Sequence, residues 1–226
     1  MIAWIVGASG TWGRALAGEL MARGFDIVAL GRSDVPDLAA EAARLGRSWS
    51  FARFDLETTD PAGVGASAAE VEARSGVPDL LVMCAAVVGR DREMLARANY
   101  LMPAALIEAV AVAMGKRGSG RIGVFMAQNA RLGMAGLGDY SAAQGALWTW
   151  CEAYSAGLEA GRRGVTLTRV IPPRAASATQ RWVSDQSGHA ARLHRPDPRG
   201  IVGAILAGKR RCGRRPLLAA LAMLVR

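Results

Sequence analysis

The chain has 226 residues, 51% of them hydrophobic, and a formal net charge of +9 at pH 7. This size and composition exclude a disordered chain or one that needs metal or disulfide support, and no apolar run reaches the roughly 18 residues of a membrane span, so we expect a single soluble domain over 1–226. We do not expect nucleic-acid binding or a metal site, because the basic residues are scattered outside a cluster at 209–215 and the three cysteines lack metal-ligand spacing.

Apolar segments alternate with helical patterns along the whole chain. This alternation predicts an α/β fold, a Rossmann-like, doubly wound parallel sheet flanked by helices. The first run, 2–6, has no basic leader and enters a glycine turn, so we interpret it as a strand and expect a cytoplasmic location. The predicted strands lie near 2–6, 25–30, 49–54, 79–84, 121–126 and 165–171, and the predicted helices near 12–23, 36–46, 61–75, 91–115, 138–161, 198–208 and 216–225.

A glycine-rich turn joins the first predicted strand to the first predicted helix. The spacing G-x-x-G-x-x-G lets the backbone turn tightly and approach a dinucleotide pyrophosphate at the helix N-terminus. A plain strand-to-helix turn is the alternative, and the bulky Trp12 either narrows the pocket or packs under the helix. The predicted cofactor contacts are Gly7, Ser9, Gly10, Thr11, Trp12 and Gly13.

The end of the second predicted strand, Gly31-Arg32-Ser33, indicates which dinucleotide binds. A carboxylate that would bind the ribose 2′-hydroxyl of NAD is missing there. Arg32 offers a guanidinium fork to a 2′-phosphate and Ser33 a hydroxyl donor. We therefore predict NADP(H) as the cofactor, with a solvated surface arginine as the alternative interpretation.

Tyr140 and Gln144 lie four residues apart, on one face of a predicted helix. With the glycine turn, this pair resembles the Tyr-x-x-x-Lys signature of the short-chain dehydrogenase/reductase family, with glutamine in place of lysine. Ala127 stands where the family places a serine that binds the substrate carbonyl. The resemblance covers roughly residues 2–208 and identifies the chain as a divergent member of the family.

The resemblance implies roles for further residues. In the cofactor site, Asp55 and Leu56 are expected to contact the adenine, and Ala85 and Pro172 to border the cofactor. In the catalytic site, Tyr140 is expected to donate a proton, Asn99 to hold a water of a proton relay, and Gln144 to bind the nicotinamide ribose.

The two altered positions leave open which groups compensate. Gln128 or Asn129 is the candidate to replace the missing serine donor. Glutamine carries no charge, so it cannot lower the pKa of the tyrosine as a lysine ammonium would. His189 and His194 are the second-rank candidates for a compensating titratable group, with solvated loop histidines as the alternative.

The segment 172–199 has no clear helical or strand pattern and follows the sixth predicted strand. A structureless loop of this length in a compact domain is usually a lid or a binding loop, so we predict a substrate lid there. The remaining residues, 209–226, form a basic and then apolar C-terminal tail.

These features predict an NADPH-dependent reductase of a small carbonyl, quinone or imine, with Tyr140 as proton donor. The alternative is a non-redox protein on the same fold: a lyase, isomerase or cyclase that uses Tyr140 as an acid, or a catalytically silent NADP-binding protein. The family resemblance also implies a homodimer or homotetramer assembled through the long helices near 91–115 and 138–161.

Overall fold

The computed structural model describes residues 1–128, 130–161, 163–188 and 192–213. Its strands are β1 (Ile2–Val6), β2 (Asp26–Gly31), β3 (Trp49–Arg53), β4 (Leu80–Met83), β5 (Gly120–Phe125), β6 (Val165–Ile171) and β7 (Arg211–Gly213). All seven pair in parallel in one sheet, in the order β3-β2-β1-β4-β5-β6-β7. This arrangement confirms the predicted Rossmann-like fold in a single domain.

Helices cover both faces of the sheet. They are α1 (Thr11–Ala22), α2 (Pro36–Arg44), α3 (Val64–Ser75), α4 (Arg92–Ala96), α5 (Met102–Arg117), α6 (Gly138–Ala160), α7 (Ala178–Ser187) and α8 (Arg199–Leu206). The core on one face includes residues of α3, α5 and α6, and the core on the other includes residues of α1, α2 and α8.

The central strands are continuous apolar runs because both of their faces are covered. In β1, residues Ala3 to Val6 are each at most 1% exposed, and their side chains alternate between the two cores. Such a strand has no polar face, which explains why the run reads as uniformly hydrophobic in the sequence.

The order of the strands determines where the sheet can hold a ligand. From β1 the chain proceeds to β2 and β3 on one side, and to β4, β5 and β6 on the other. Connections therefore leave β1 and β4 toward opposite sides, which opens a crevice at the carboxyl ends of these strands, where ligands bind in folds of this class.

The structure corrects four details of the predicted elements. The segment 172–199 is not irregular throughout, because it contains α7, and the tail contributes a seventh strand, β7. The helix predicted near 91–115 is divided by a π-turn at Arg97–Leu101, and the one predicted at 61–75 begins with a 3₁₀ turn at Pro61–Gly63. The helix predicted at 216–225 lies outside the described residues.

One helical stretch of the described chain, Arg92–Arg117, is long and apolar enough to cross a membrane by length and composition. Within the fold, 56% of its apolar window is buried. The buried side includes Met102, Leu106 and Val110, which belong to the core under α5. Core helices of globular proteins pass the same test, so the apolar composition of this helix follows from its packing.

Candidate functional site

A cleft of about 410 Å³ lies at the carboxyl ends of the strands, where strand order reverses. It receives residues from the ends of β1 to β6 and from α6 and α7, which are distant in the sequence. Most residues predicted for the cofactor and catalytic sites line this one cleft: Gly7, Ser9, Gly10, Thr11, Trp12, Arg32, Ser33, Asp55, Leu56, Ala85, Gln128, Tyr140, Gln144 and Pro172.

The floor of the cleft is the glycine turn, whose backbone leaves no room for side chains. Gly7 has φ +90°, and a Cβ there would lie 2.8 Å from the amide nitrogen of Ala85. A Cβ on Gly13 would overlap the carbonyl oxygen of Gly7, which accepts the N–H of Gly10 at 3.0 Å. Glycine is therefore required at Gly7 and Gly13 by contact, as well as by conformation at Gly7.

The turn delivers the N-terminus of α1 to the cleft. Gly10 caps this helix without a side-chain hydrogen bond, and the first turn of the helix has no acidic residue. Backbone N–H groups and the positive end of the helix dipole are thus presented to a ligand, an arrangement that suits a pyrophosphate.

Trp12 both packs against the core and borders the cleft. Its ring packs against Phe125 with centroids 5.8 Å apart, and it also borders the cleft. Thr11 is held as well, because its Oγ1 donates a hydrogen bond to the carbonyl of Ala176 at 2.9 Å. This bond joins the glycine turn to the segment that follows β6.

The far end of the cleft, beyond β2 and β3, contains an ion pair that sequence reasoning missed. Nη1 of Arg32 donates to Oε1 of Glu57 at 2.8 Å. The carboxylate of Asp55 accepts the backbone N–H of Glu57 at 3.0 Å, and Leu56 is buried. A carboxylate is therefore present beside Arg32, supplied by the chain after β3 and not by the end of β2.

Cys84 follows β4, lines the cleft and makes a structural contact. Its Sγ donates to the carbonyl of Val6 at 3.1 Å. Burial raises the pKa of the Cys84 thiol to about 12, so the group stays protonated and unreactive near neutral pH.

Tyr140 lies in the first turn of α6, where its side chain is enclosed. The residue is only 3% exposed, and its ring meets Trp182 of α7 edge to face with centroids 6.1 Å apart. Burial raises the pKa of Tyr140 well above its ordinary value near 10, and no cation among the described residues offsets that effect. The side chain is therefore a neutral phenol at physiological pH.

Gln144, one turn after Tyr140, is buried and makes a specific bond. Its Oε1 accepts the backbone N–H of Ala127 at 2.8 Å. A lysine at this position could not accept that hydrogen, because an ammonium group is only a donor. Gln144 and Ala127, the two positions that depart from the signature described above, are thus bonded to each other.

Comparison with known proteins agrees with this geometry. A family model described as short chain dehydrogenase matches residues 1–188. The chain belongs to the short-chain dehydrogenase family. Two curated relatives, the 3-oxoacyl-[acyl-carrier-protein] reductase FabG of Salmonella typhimurium and that of Salmonella typhi, are each 28% identical over 196 residues, which cover 81% of this chain and 77% of the relative.

Solved structures show the same short-chain dehydrogenase fold. Acetoin dehydrogenase from Enterobacter cloacae aligns with a TM-score of 0.71 and 22% identity, over 80% of this chain and 76% of that one. A structure described as ribose-5-phosphate isomerase from Brucella melitensis 16M aligns with a TM-score of 0.65 and 26% identity, over 81% of this chain and 73% of that one.

Gln128, the candidate to replace the family's serine, is tethered to the next strand. Its Nε2 donates to the carbonyl of Pro172 at 3.2 Å, and both residues border the cleft. The bond links the loop after β5 to the end of β6 and engages one of the two amide hydrogens of Gln128. Asn129, its alternative, lies outside the described residues.

Asn99 lies in the π-turn before α5 and does not line the cleft. Its Oδ1 accepts the N–H of Val87 at 2.9 Å, and its Nδ2 donates to the carbonyls of Val87 at 2.8 Å and Leu95 at 3.2 Å. The side chain therefore fastens the loop after β4 to the helix behind it. All of these hydrogen bonds are to backbone groups of Val87 and Leu95, and the role of Asn99 in a proton relay stays a prediction.

Of the two candidate histidines, His194 lies among the described residues. His194 does not line the cleft, and its backbone N–H donates to the carbonyl of Arg174 at 2.8 Å. His189 lies outside the described residues. Among the described residues, no group of three or more His, Cys, Asp or Glu side chains could hold a metal ion.

The helix α7 forms one wall of the cleft. It begins at Ser177, whose side chain accepts the N–H of Gln180 at 3.0 Å, and it ends at Gly188 in the left-handed conformation. Three of its residues, Thr179, Gln180 and Val183, line the cleft, and Trp182 covers Tyr140. In sequence, the N-cap serine and the glycine after residue 187 were the available signals for this helix.

Proposed function

We propose that this short-chain dehydrogenase is a reductase that uses NADPH and acts on a small carbonyl, quinone or imine. The observation that carries the proposal is a buried, neutral Tyr140 in the same cleft as an open helix N-terminus on a glycine floor. The two curated relatives are named as 3-oxoacyl-[acyl-carrier-protein] reductases, and these names support reduction as the reaction class.

The cleft fits a nicotinamide dinucleotide on its own geometry. The glycine floor is a cradle that Cβ atoms would fill, and the N-terminus of α1 offers N–H donors to the pyrophosphate. Arg32 lies at the end of the cleft that would hold the adenosine ribose, and its guanidinium can bind a 2′-phosphate. NADPH, when bound, supplies the hydride.

Tyr140 serves as the acid. When hydride is transferred to the carbonyl carbon, the phenol Oη donates its proton to the carbonyl oxygen, and the carbonyl group is reduced to an alcohol. The resulting tyrosinate is then reprotonated from solvent. Because burial raises the pKa of Tyr140, nearly all of the side chain is in the proton-donating form at neutral pH. The reverse reaction needs the phenolate, which is scarce there.

Gln144 has two tasks in this proposal. Its amide oxygen is used by Ala127, which leaves the amide nitrogen as the group available to a ribose hydroxyl. The glutamine thus keeps a donor in the cleft and fixes the loop after β5, but it adds no positive charge beside Tyr140.

Turnover of NADPH with a panel of small carbonyls, quinones and imines tests the proposal, followed by loss of absorbance of the reduced nicotinamide. Tyr140→Phe should lower the rate about 10²- to 10⁴-fold while NADPH still binds, because a proton donor is removed. Tyr154→Phe is the matched control, since Tyr154 stacks on Trp150 on another part of α6. Full activity of Tyr140→Phe would show that Tyr140 is not the acid.

A non-redox function is the second candidate. Gln144 and Ala127 stand at the two positions where the family signature has catalytic lysine and serine, and they are hydrogen-bonded to each other. This arrangement favours a non-redox function. The alignment with a structure described as an isomerase supports it as well. Binding of NADPH without consumption across the whole panel would select this candidate over the reductase.

The proposal includes a homodimer or homotetramer in the cytoplasm. Exposed apolar residues on α5 and just before it, Val112 at 47% and Leu101 at 44% exposure, and the stacked Trp150 and Tyr154 on α6, support assembly through these helices. Light scattering of the purified protein measures the number of chains directly.

A further inference from the structure

The ion pair between Arg32 and Glu57 lies at one end of the cleft, where both residues contribute to its wall. Nη1 of Arg32 and Oε1 of Glu57 are 2.8 Å apart, and the side chains are 67% and 35% exposed. The pair is accessible to solvent, so a ligand with its own charge can compete for either partner. This property makes the pair relevant to ligand selection.

Local structure holds Glu57 in place. The strands β2 and β3 are neighbours, and the N–H of Phe54 donates to the carbonyl of Gly31 at 2.8 Å just beyond the ladder. Asp55 then accepts the N–H of Glu57 at 3.0 Å, which turns the chain back over the end of β2. The carboxylate of Glu57 therefore reaches Arg32 through an ordered turn.

We propose that Glu57 determines how strongly the cleft distinguishes NADPH from NADH. The proposal rests on the proposed function, in which the cleft binds a nicotinamide dinucleotide. A 2′-phosphate competes with Glu57 for Arg32 and is repelled by that carboxylate, whereas the 2′-hydroxyl of NADH can donate a hydrogen bond to it.

Because Arg32 attracts a 2′-phosphate and Glu57 repels it, the cleft binds NADPH only modestly more tightly than NADH. The described bond uses Nη1 of Arg32, and a guanidinium has five N–H donors, so the arginine can turn to a phosphate without leaving the cleft. When no phosphate is present, Glu57 satisfies Arg32 and stays available to a ribose hydroxyl. The site then accepts both dinucleotides, with NADPH modestly favoured by Arg32.

Binding of NADPH and NADH to Glu57→Gln, measured by nicotinamide fluorescence, tests this proposal. We expect NADPH affinity to rise about 3- to 10-fold, because the competing charge is removed, and NADH affinity to fall about 2- to 5-fold. Glu70→Gln is the matched control, since it removes the same charge from an exposed position on α3 and should change neither affinity. Arg32→Gln should lower NADPH affinity about 10-fold or more and leave NADH nearly unchanged.

The same measurements separate the possible failures. Binding of both dinucleotides with an unchanged ratio in Glu57→Gln would overturn the role of Glu57 and leave the proposed function standing. Absence of binding of either dinucleotide to the unaltered protein would overturn the proposed function and this proposal together. Because Arg32 is exposed and Glu57 is half-buried at the rim of the cleft, thermal unfolding of the variants should match that of the unaltered protein and exclude misfolding as the cause.

Discussion

The two ends of the cleft differ in what they keep of the short-chain dehydrogenase pattern. At the proposed cofactor end, Gly7 and Gly13 lie where a side chain would collide with backbone atoms. At the proposed catalytic end, Tyr140 is in place, but Gln144 and Ala127 stand at the positions where the family signature has lysine and serine. The glycine turn keeps the backbone shape of the family pattern, whereas the end near Tyr140 lacks the positive charge of the family's lysine.

This difference follows from the kind of constraint at each end. A backbone contact fixes the identity of a glycine, because every other residue adds a Cβ. A cation is not held by shape, and a neutral side chain can take its place if its polar atoms find partners. The N–H of Ala127 is such a partner for the amide oxygen of Gln144. The site therefore has a hydrogen bond where a lysine would place a positive charge.

The largest expected effect comes from breaking the cofactor end. Gly13→Val should lower NADPH affinity about 100-fold or more, a loss that corresponds to roughly 3 kcal/mol, because the new side chain overlaps the carbonyl of Gly7 and displaces the glycine turn. Calorimetric titration with NADPH measures the loss. Unchanged affinity would show that the turn does not bind the dinucleotide.

Two further glycine variants show whether the loss of affinity follows the steric conflict. Gly18→Ala lies in the same helix, where a Cβ meets no atom within 4 Å, and it should leave binding intact. Gly10→Ala places its Cβ 3.3 Å from the carbonyl oxygen of Gly7, a tight contact that should give an intermediate loss. The three variants should therefore follow the order of steric conflict.

A smaller effect is expected from breaking the catalytic end. Gln144→Met removes the acceptor of the Ala127 N–H and should lower the free energy of unfolding by about 1 kcal/mol, because a partly buried donor loses its partner. Urea unfolding measures this change. Gln180→Met on α7 is the control, and its effect should stay within about 0.5 kcal/mol.

Gln144→Lys sharpens the same comparison. It should also destabilise the protein, because an ammonium cannot accept the Ala127 N–H, but unlike methionine it should lower the pKa of Tyr140 through its charge. A Gln144→Lys variant as stable as the unaltered protein would mean that the bond to Ala127 contributes nothing.

The strands and the long helices could be predicted from the sequence, because continuous apolar runs and helical periodicity are local properties. Helix α7, for which only the capping residues give a signal, and strand β7 were missed. No residue of α7 is buried, so the helix has no apolar face to give a pattern, and β7 has only three residues. The π-turn around Asn99 depends on contacts with the loop after β4, which the sequence does not display.

The lining of the cleft was predictable where it depends on backbone shape and less so where it depends on pairs of side chains. The glycine turn and Tyr140 are recognised from spacing alone. Glu57 was missed because its contact with Arg32 requires two neighbouring strands to end together. The bond from Ala127 to Gln144 joins residues 17 positions apart, and nothing in the spacing indicates it.

The ionisation of Tyr140 tests the central claim, that the catalytic end has lost its cation and retains a neutral acid. The chain has three tyrosines, so carbon-13 labelling of the tyrosine ring gives three signals by NMR, and Tyr140→Phe assigns the one of interest. We predict that the Tyr140 signal does not titrate between neutral pH and pH of about 10, because burial raises its pKa. Titration of that signal near neutral pH would contradict the account, since it would require a positive charge beside the phenol.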